Sequence, residues 1–155
     1  MTAASGRRYR IGLLHYVPKG DPFISTEDVP DFKAAMQRLG YREGVDVEYD
    51  ERYGTRDVAL AERQATEMVA AGCDLFCAFL TIPGISLQKA LAAAGKSIPI
   101  IGWATDMAQA GLIDSYRRPG RNFTGFAYEP FTQWTKVRLL KMAVPGLTRL
   151  AHLYN

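Results

Sequence analysis

The sequence predicts an α/β domain built on a doubly wound parallel sheet with strand order 2-1-3-4. Three observations carry that expectation. Short apolar runs alternate with helical periodicities, which is the pattern of βαβ crossovers and parallel strands. One run, the second, is wet on one face and so belongs at a sheet edge. Several runs end in polar or Pro- and Gly-containing loops, and in open α/β sheets such loops form a crevice at the C-terminal ends of the strands.

The elements follow in order. Residues 1–8 read as a flexible lead-in, and residues 9–126 as the α/β lobe. Tyr9 to Tyr16 (YRIGLLHY) is a short apolar run, read as a buried strand, and VPKGDPF after it forces a loop. Ser25, Thr26 and Asp28 offer N-caps, and Pro30 suits a first helical turn. Phe32, Ala35, Met36 and Leu39 recur at helical spacing, and Gly40 stops the helix. Val45, Val47 and Tyr49 then alternate with Asp46, Glu48 and Asp50. That period of two with one wet face defines the edge strand.

Asp57 caps a second helix with the stripe Val58, Ala61, Ala65, Met68 and Val69, ended by Gly72. Leu75 to Leu80 is apolar without alternation, as in a central strand covered on both faces. A third helix starts near Pro83, with Leu87, Ala90, Leu91 and Ala94 as its stripe and Gly95 as its stop. Ile98 to Trp103 is the fourth buried strand. It breaks into Ala104-Thr105-Asp106, a small helical piece over Met107 to Ile113, and a turn at Pro119-Gly120. A short strand covers Asn122 to Ala127. A helix over Pro130 to Val144 follows, with Phe131, Trp134, Val137 and Leu140 on one stripe, and a strand starts at Arg149.

Bulk properties narrow the function. The chain has 155 residues, 48% of them apolar and 23% charged, which is enough for a packed core and inconsistent with disorder. A net charge of +3 is too mild to argue for nucleic acid. No apolar run is long enough to span a bilayer, and MTAASGRRYR lacks the apolar segment of a secretory signal. Cys73 and Cys77, if both lie on one extended strand, are about 13 Å apart, beyond the roughly 7 Å limit of a disulfide. They read as buried small hydrophobes. His15 and His152 are the only histidines, so no metal site is expected.

No phosphate-binding glycine fingerprint and no nucleophile elbow is present, so neither a nucleotide cofactor nor a serine hydrolase is indicated. His15 ends the first strand, where a histidine is more often a loop hydrogen-bonder than a catalyst. No catalytic residue is assigned. The three loops at the switch point are Tyr16 to Phe23, Leu80 to Ser86 and Ala104 to Asp106. They supply the ligand-binding candidates: Tyr16, Phe23, Leu80, Thr81, Ile82, Ala104, Thr105 and Asp106. Apolar and aromatic surface with a few polar groups is the usual composition of a pocket. Asp106 carries two readings that can both hold: a contact to an ammonium or hydroxyl group, and a cap for the turn after it. Arg117, Arg118 and Arg121 read as a solvated basic turn.

One ordered set of segments resembles a known family. The set is IGLL, LGYREGVDVEYDERYG, AGCDLFCAF, IPIIGWATD, GLIDSYRRPGRNFTG and VRLLKMAVPGLTRLAHLYN. It resembles the substrate-binding proteins of ABC importers, in the branch that includes tryptophan- and tyrosine-type binding proteins, from about Arg10 to Asn155. Met107 stands where that family usually has Pro, and Arg121 where it often has Gly.

The resemblance implies the first lobe of a type I periplasmic binding protein, with a hinge at Asn122, Thr124 and Gly125. Residues 127–155 would be the hinge crossing and the first helix and strand of an incomplete second lobe. It also implies a small-molecule ligand, an amino acid or similar, held between two lobes, a membrane permease as partner, an extracytoplasmic location, no cofactor and no catalysis. An incomplete lobe would leave surface through which two copies could pair. The alternatives are a standalone flavodoxin-like enzyme and a small-molecule sensor domain. A receiver would want acidic residues at the end of strand 1, where His15 and Tyr16 stand. A regulator would need a helix-turn-helix, which eight leading residues cannot hold.

Overall fold

The structure is a computed structural model that describes residues 7–22, 28–127 and 133–151. Its sheet has five parallel strands in the order β2-β1-β3-β4-β5. The strands are β1 (Tyr9–His15), β2 (Val47–Arg52), β3 (Leu75–Phe79), β4 (Ile100–Ala104) and β5 (Phe123–Ala127). The helices are α1 (Asp28–Arg38), α2 (Val58–Ala70), α3 (Thr81–Ala93) and α4 (Gln133–Ala143). The expected order 2-1-3-4 is present, and the short strand after the Pro-Gly turn extends it as a fifth member.

The two faces of the sheet hold separate cores. On one face Leu14, Phe76, Ala78, Ile100, Ala104 and Phe123 pack against α2 and α3 through Ala65, Met68, Leu87 and Leu91. On the other, Ile11, Leu13, Val47 and Cys77 meet Val29, Phe32 and Met36 of α1. Because α1 lies over β1, β2 and β3 only, the same face of β4 and β5 stays open, and Ile101 is 43% and Phe126 80% exposed. The fourth strand is therefore buried on one side and not on both.

The second helix starts where its cap dictates. The Asp57 carboxylate accepts from the amides of Ala59 (2.8 Å) and Leu60 (3.4 Å), two donors that the first turn cannot satisfy internally. Asp57→Ala is expected to cost about 1 kcal/mol in a urea unfolding measurement, with the slope unchanged. A loss under a quarter of that would mean that water replaces the cap.

Several expected boundaries move. Val45 lies in an exposed turn, so the edge strand begins at Val47, which is fully buried. Leu39 and Val58 are exposed, at the turn after α1 and the start of α2. Cys73 precedes β3 and packs on the α2–α3 side, while Cys77 within β3 packs under α1. The two free thiols thus sit on opposite faces of the sheet, and burial raises their pKa values to about 11 and about 12.

The α3 helix starts at Thr81, two residues before Pro83. Met107 to Ile113 is a set of turns with no helix. Residues 149–151 form no strand, and the rest of that expected strand lies outside the described residues. So do Phe23, Ser25, Thr26, Phe131 and the first residues of the expected last helix. In α4, Leu139, Leu140 and Met142 are exposed.

Candidate functional site

All described ligand-binding candidates fall at the C-terminal edge of the sheet, around the ends of β1, β3 and β4. Backbone hydrogen bonds stitch these ends together. Leu80 N–H donates to Trp103 O (3.1 Å), and Thr105 N–H donates to the Thr81 hydroxyl oxygen (3.1 Å). The loop after β3 is thereby locked to the loop after β4. Leu80 sits at φ 87°, ψ 170°, a region that almost only glycine occupies, and such a placement costs on the order of 1–3 kcal/mol. Leu80 also provides no side-chain cap for α3. Ile82 lies in the first turn of that helix.

Asp106 adopts a left-handed backbone, φ 35°, which Asp tolerates better than most residues. Its Oδ1 accepts from Gln109 N (3.1 Å) and from the Tyr116 hydroxyl (3.3 Å). The capping role expected of Asp106 is thus present on a turn. Thr105 beside it is exposed, whereas Ala104 is fully buried and its methyl belongs to the core. Ala104 therefore offers no accessible surface to a ligand in this structure.

On the other side of the switch point, the Tyr16 hydroxyl donates to Arg56 O (2.8 Å), so Tyr16 ties the loop after β1 to the loop after β2. Arg56 pairs with Asp21 at 2.6 Å and reinforces that tie.

His15 differs from the sequence expectation. It is 2% exposed and stacked between Phe79 (centroids 4.0 Å apart) and Tyr53 (4.5 Å), and its Nε2 has no hydrogen-bond partner. Among the described residues, that nitrogen makes no loop hydrogen bond. Register extends the stack: His15 is level with Phe79, Phe79 with Trp103, and Trp103 with Phe126. Tyr53, His15, Phe79, Trp103 and Phe126 therefore form one row of rings across the sheet, just below the candidate loops. The sequence held a signal for this row, since His15 and Phe79 each close their strands, but the alignment of those ends is set by register alone.

The hinge candidates occupy β5. Asn122 lies at its N-terminal end, where its amide donates to Ile98 O (2.8 Å) and its side-chain oxygen lies 3.4 Å from Gln88 Nε2. Thr124 and Gly125 are level with Ile101 and Gly102 of β4. The basic turn is partly paired, since Arg121 Nε donates to Asp114 at 2.8 Å.

Two surface concavities lie away from these loops. One, of about 420 Å³, is lined by Tyr9, Ile11, Met36, Tyr41 and Val47 among others, and another, of about 450 Å³, by Gln88, Lys96 and Asn122 among others. Among the described residues, no group of three His, Cys, Asp or Glu side chains could hold a metal, and no helix is long and apolar enough to cross a membrane.

A parallel sheet wound in this order, with its loops gathered at the switch point, defines a lobe of the type I periplasmic-binding-protein class. A family model described as ABC transporter substrate binding protein matches residues 25–155, and the chain belongs to that family. It is 32% identical over 127 residues to a tyrosine-binding protein of Clostridioides difficile (strain R20291), covering 80% of this chain and 35% of that protein. A crystal structure of a conserved domain protein from Vibrio cholerae is similar at TM-score 0.68 and 25% identity, over 89% of this chain and 44% of that one. A crystal structure of an ABC domain in complex with L-Trp, from Streptococcus pneumonia, is similar at TM-score 0.65 and 26% identity, over 90% of this chain and 44% of that one. The chain thus spans less than half the length of these relatives.

Proposed function

We propose that this chain forms the first lobe of the solute-binding component of an ABC importer, and that the C-terminal edge of its sheet is one wall of a ligand cleft. The observation that carries the reading is the stitched pair of loops at Leu80–Thr81 and Thr105–Asp106. Leu80 there holds a costly backbone conformation beside a left-handed Asp106, and such strain gathers at ligand clamps.

The ligand is a small molecule, an amino acid or a close analogue. Relatives named for tyrosine or crystallised with L-Trp support an aromatic one. Asp106 and Thr105 receive its ammonium group. Tyr16, Leu80, Thr81 and Ile82 form the surrounding wall, with Ala104 buried behind it; Phe23 is proposed with them from the sequence alone. The whole protein acts outside the cytoplasm and hands its ligand to a membrane permease.

Asn122, Thr124 and Gly125 lead into the hinge rather than bend within it, because β5 is paired along its length. The crossing into a second lobe follows Ala127. The relatives give no support to a dimer.

A single wall holds a ligand poorly, because closure of two lobes supplies the remaining contacts. The 155-residue chain is expected to bind L-tyrosine or L-tryptophan in the millimolar range, read by NMR titration. Nanomolar or low-micromolar binding by this chain alone would overturn the half-cleft reading.

A further inference from the structure

The loop after β4 returns to the end of that strand by tying itself shut. Asp114 N–H donates to Pro119 O (2.8 Å), Ser115 N–H to Arg118 O (3.2 Å), and Arg118 N–H to the Ser115 hydroxyl (3.0 Å). Gly120, at φ 66°, eases the return, because that left-handed backbone favours glycine. The closed loop brings Tyr116 back over Asp106 and Met107, ten and nine residues earlier in the chain.

The phenol has one proton to donate and an oxygen that accepts. Both are used on the same turn: the hydroxyl donates to Asp106 Oδ1 (3.3 Å) and accepts from Met107 N–H (3.1 Å). Gln109 N–H also donates to Oδ1 (3.1 Å). One oxygen of the Asp106 carboxylate is therefore occupied within the turn. Among the described residues, Oδ2 takes no hydrogen bond. The arrangement orients a carboxylate on an exposed loop without neutralising it.

We propose that Tyr116 is a positioning residue: it fixes the Asp106 carboxylate so that Oδ1 is consumed in the turn and Oδ2 is presented to the ammonium group of a ligand. This rests on the reading of Asp106 as a ligand contact. Tyr116 is 50% exposed, so its hydroxyl can be removed without opening the core. Holding the acceptor in place before the ligand arrives removes part of the ordering cost of binding. The benefit falls on ligands that carry an ammonium and not on analogues without one.

The test is Tyr116→Phe in the full 155-residue chain, with two readouts. The first needs no ligand. Amide hydrogen exchange at Met107 and Gln109 is expected to accelerate, while Ala61 in α2 is unchanged. Unchanged exchange at both turn amides overturns the proposal.

The second readout compares L-tryptophan with indole-3-propanoate, which has no ammonium, by NMR titration. The variant is expected to weaken L-tryptophan binding about fivefold and to leave indole-3-propanoate unaffected, the size of one ordinary hydrogen bond. An equal loss for both compounds makes Tyr116 merely structural and overturns the proposal. A wild-type chain that prefers L-tryptophan, with a variant that keeps the same preference, overturns Tyr116 alone. A wild-type chain that binds neither, or does not distinguish them, removes Asp106 as an ammonium contact, and the role of Tyr116 falls with it.

Discussion

Gly125→Ala is expected to destabilise the chain by at least about 3 kcal/mol, a large share of the stability of a domain this size. Gly125 lies opposite Gly102 at φ 148°, and a Cβ added to it would sit 1.7 Å from Gly102 O. That atom is backbone in the neighbouring strand and cannot swing aside. Gly102 is pinned in turn, since a Cβ on it would meet Ala78 O in β3 at 2.4 Å. The two glycines therefore let β4 approach both of its neighbours. Relief of the clash requires β5 to peel away from β4. Urea unfolding followed by circular dichroism measures the loss. A variant within about 0.5 kcal/mol of the wild type would show that the strands separate cheaply and that the close approach is dispensable.

The second large effect is on the acid side. His15 is neutral, and burial between Phe79 and Tyr53 lowers its pKa from 6.5 to about 4, against an opposing pull from Glu51. Tyr53 donates to Glu51, and Lys19 lies over the Tyr53 ring, 5.7 Å from its centroid. Because the folded pKa lies below the unfolded one, the unfolded chain takes up the proton first as pH falls. The stability tied to neutral His15 is complete above pH 6.5 and is lost between there and about pH 4. The loss is on the order of 2–3 kcal/mol.

Carboxylates add their own acid dependence, so the comparison is with His15→Phe, which keeps a ring in the stack and removes the titration. Urea unfolding at intervals from pH 7.5 to 4 is expected to show a steeper decline for the wild type than for the variant. Parallel curves would mean that His15 protonates in place without penalty. The same row of rings continues through Trp103 to Phe126, so acid would loosen the sheet just below the loops that form the cleft wall.

These two residues mark what was legible in the sequence. His15 could be placed at the end of β1 from the apolar run before it. Its burial could not, because Tyr53 and Phe79 come from other strands and reach it only through register. Gly125 lies in RPGRNFTG, where the family resemblance implies a hinge. Its pairing with Gly102 depends on β4 and β5 lying side by side, which no local pattern encodes. Val45 failed as a strand residue because alternation of valines continues through the turn before β2.

The sequence by itself determined the class of fold, the order of the first four strands and the edge that carries the candidate site. Those follow from hydrophobic period, from the wet face of β2 and from the position of loops at strand ends, all of which are local. Only the tertiary structure decided that one face of β4 and β5 is open, that Ala104 is closed to a ligand's side chain and that Tyr116 holds Asp106. Each depends on which segments meet across the sheet or across a loop closure. Ile98 to Trp103 reads as buried because its residues are apolar, but burial requires a covering layer, and α1 does not reach that far. Asp106 is identifiable in the sequence as polar and well placed; the hydroxyl that reaches its Oδ1 comes from Tyr116, ten residues away.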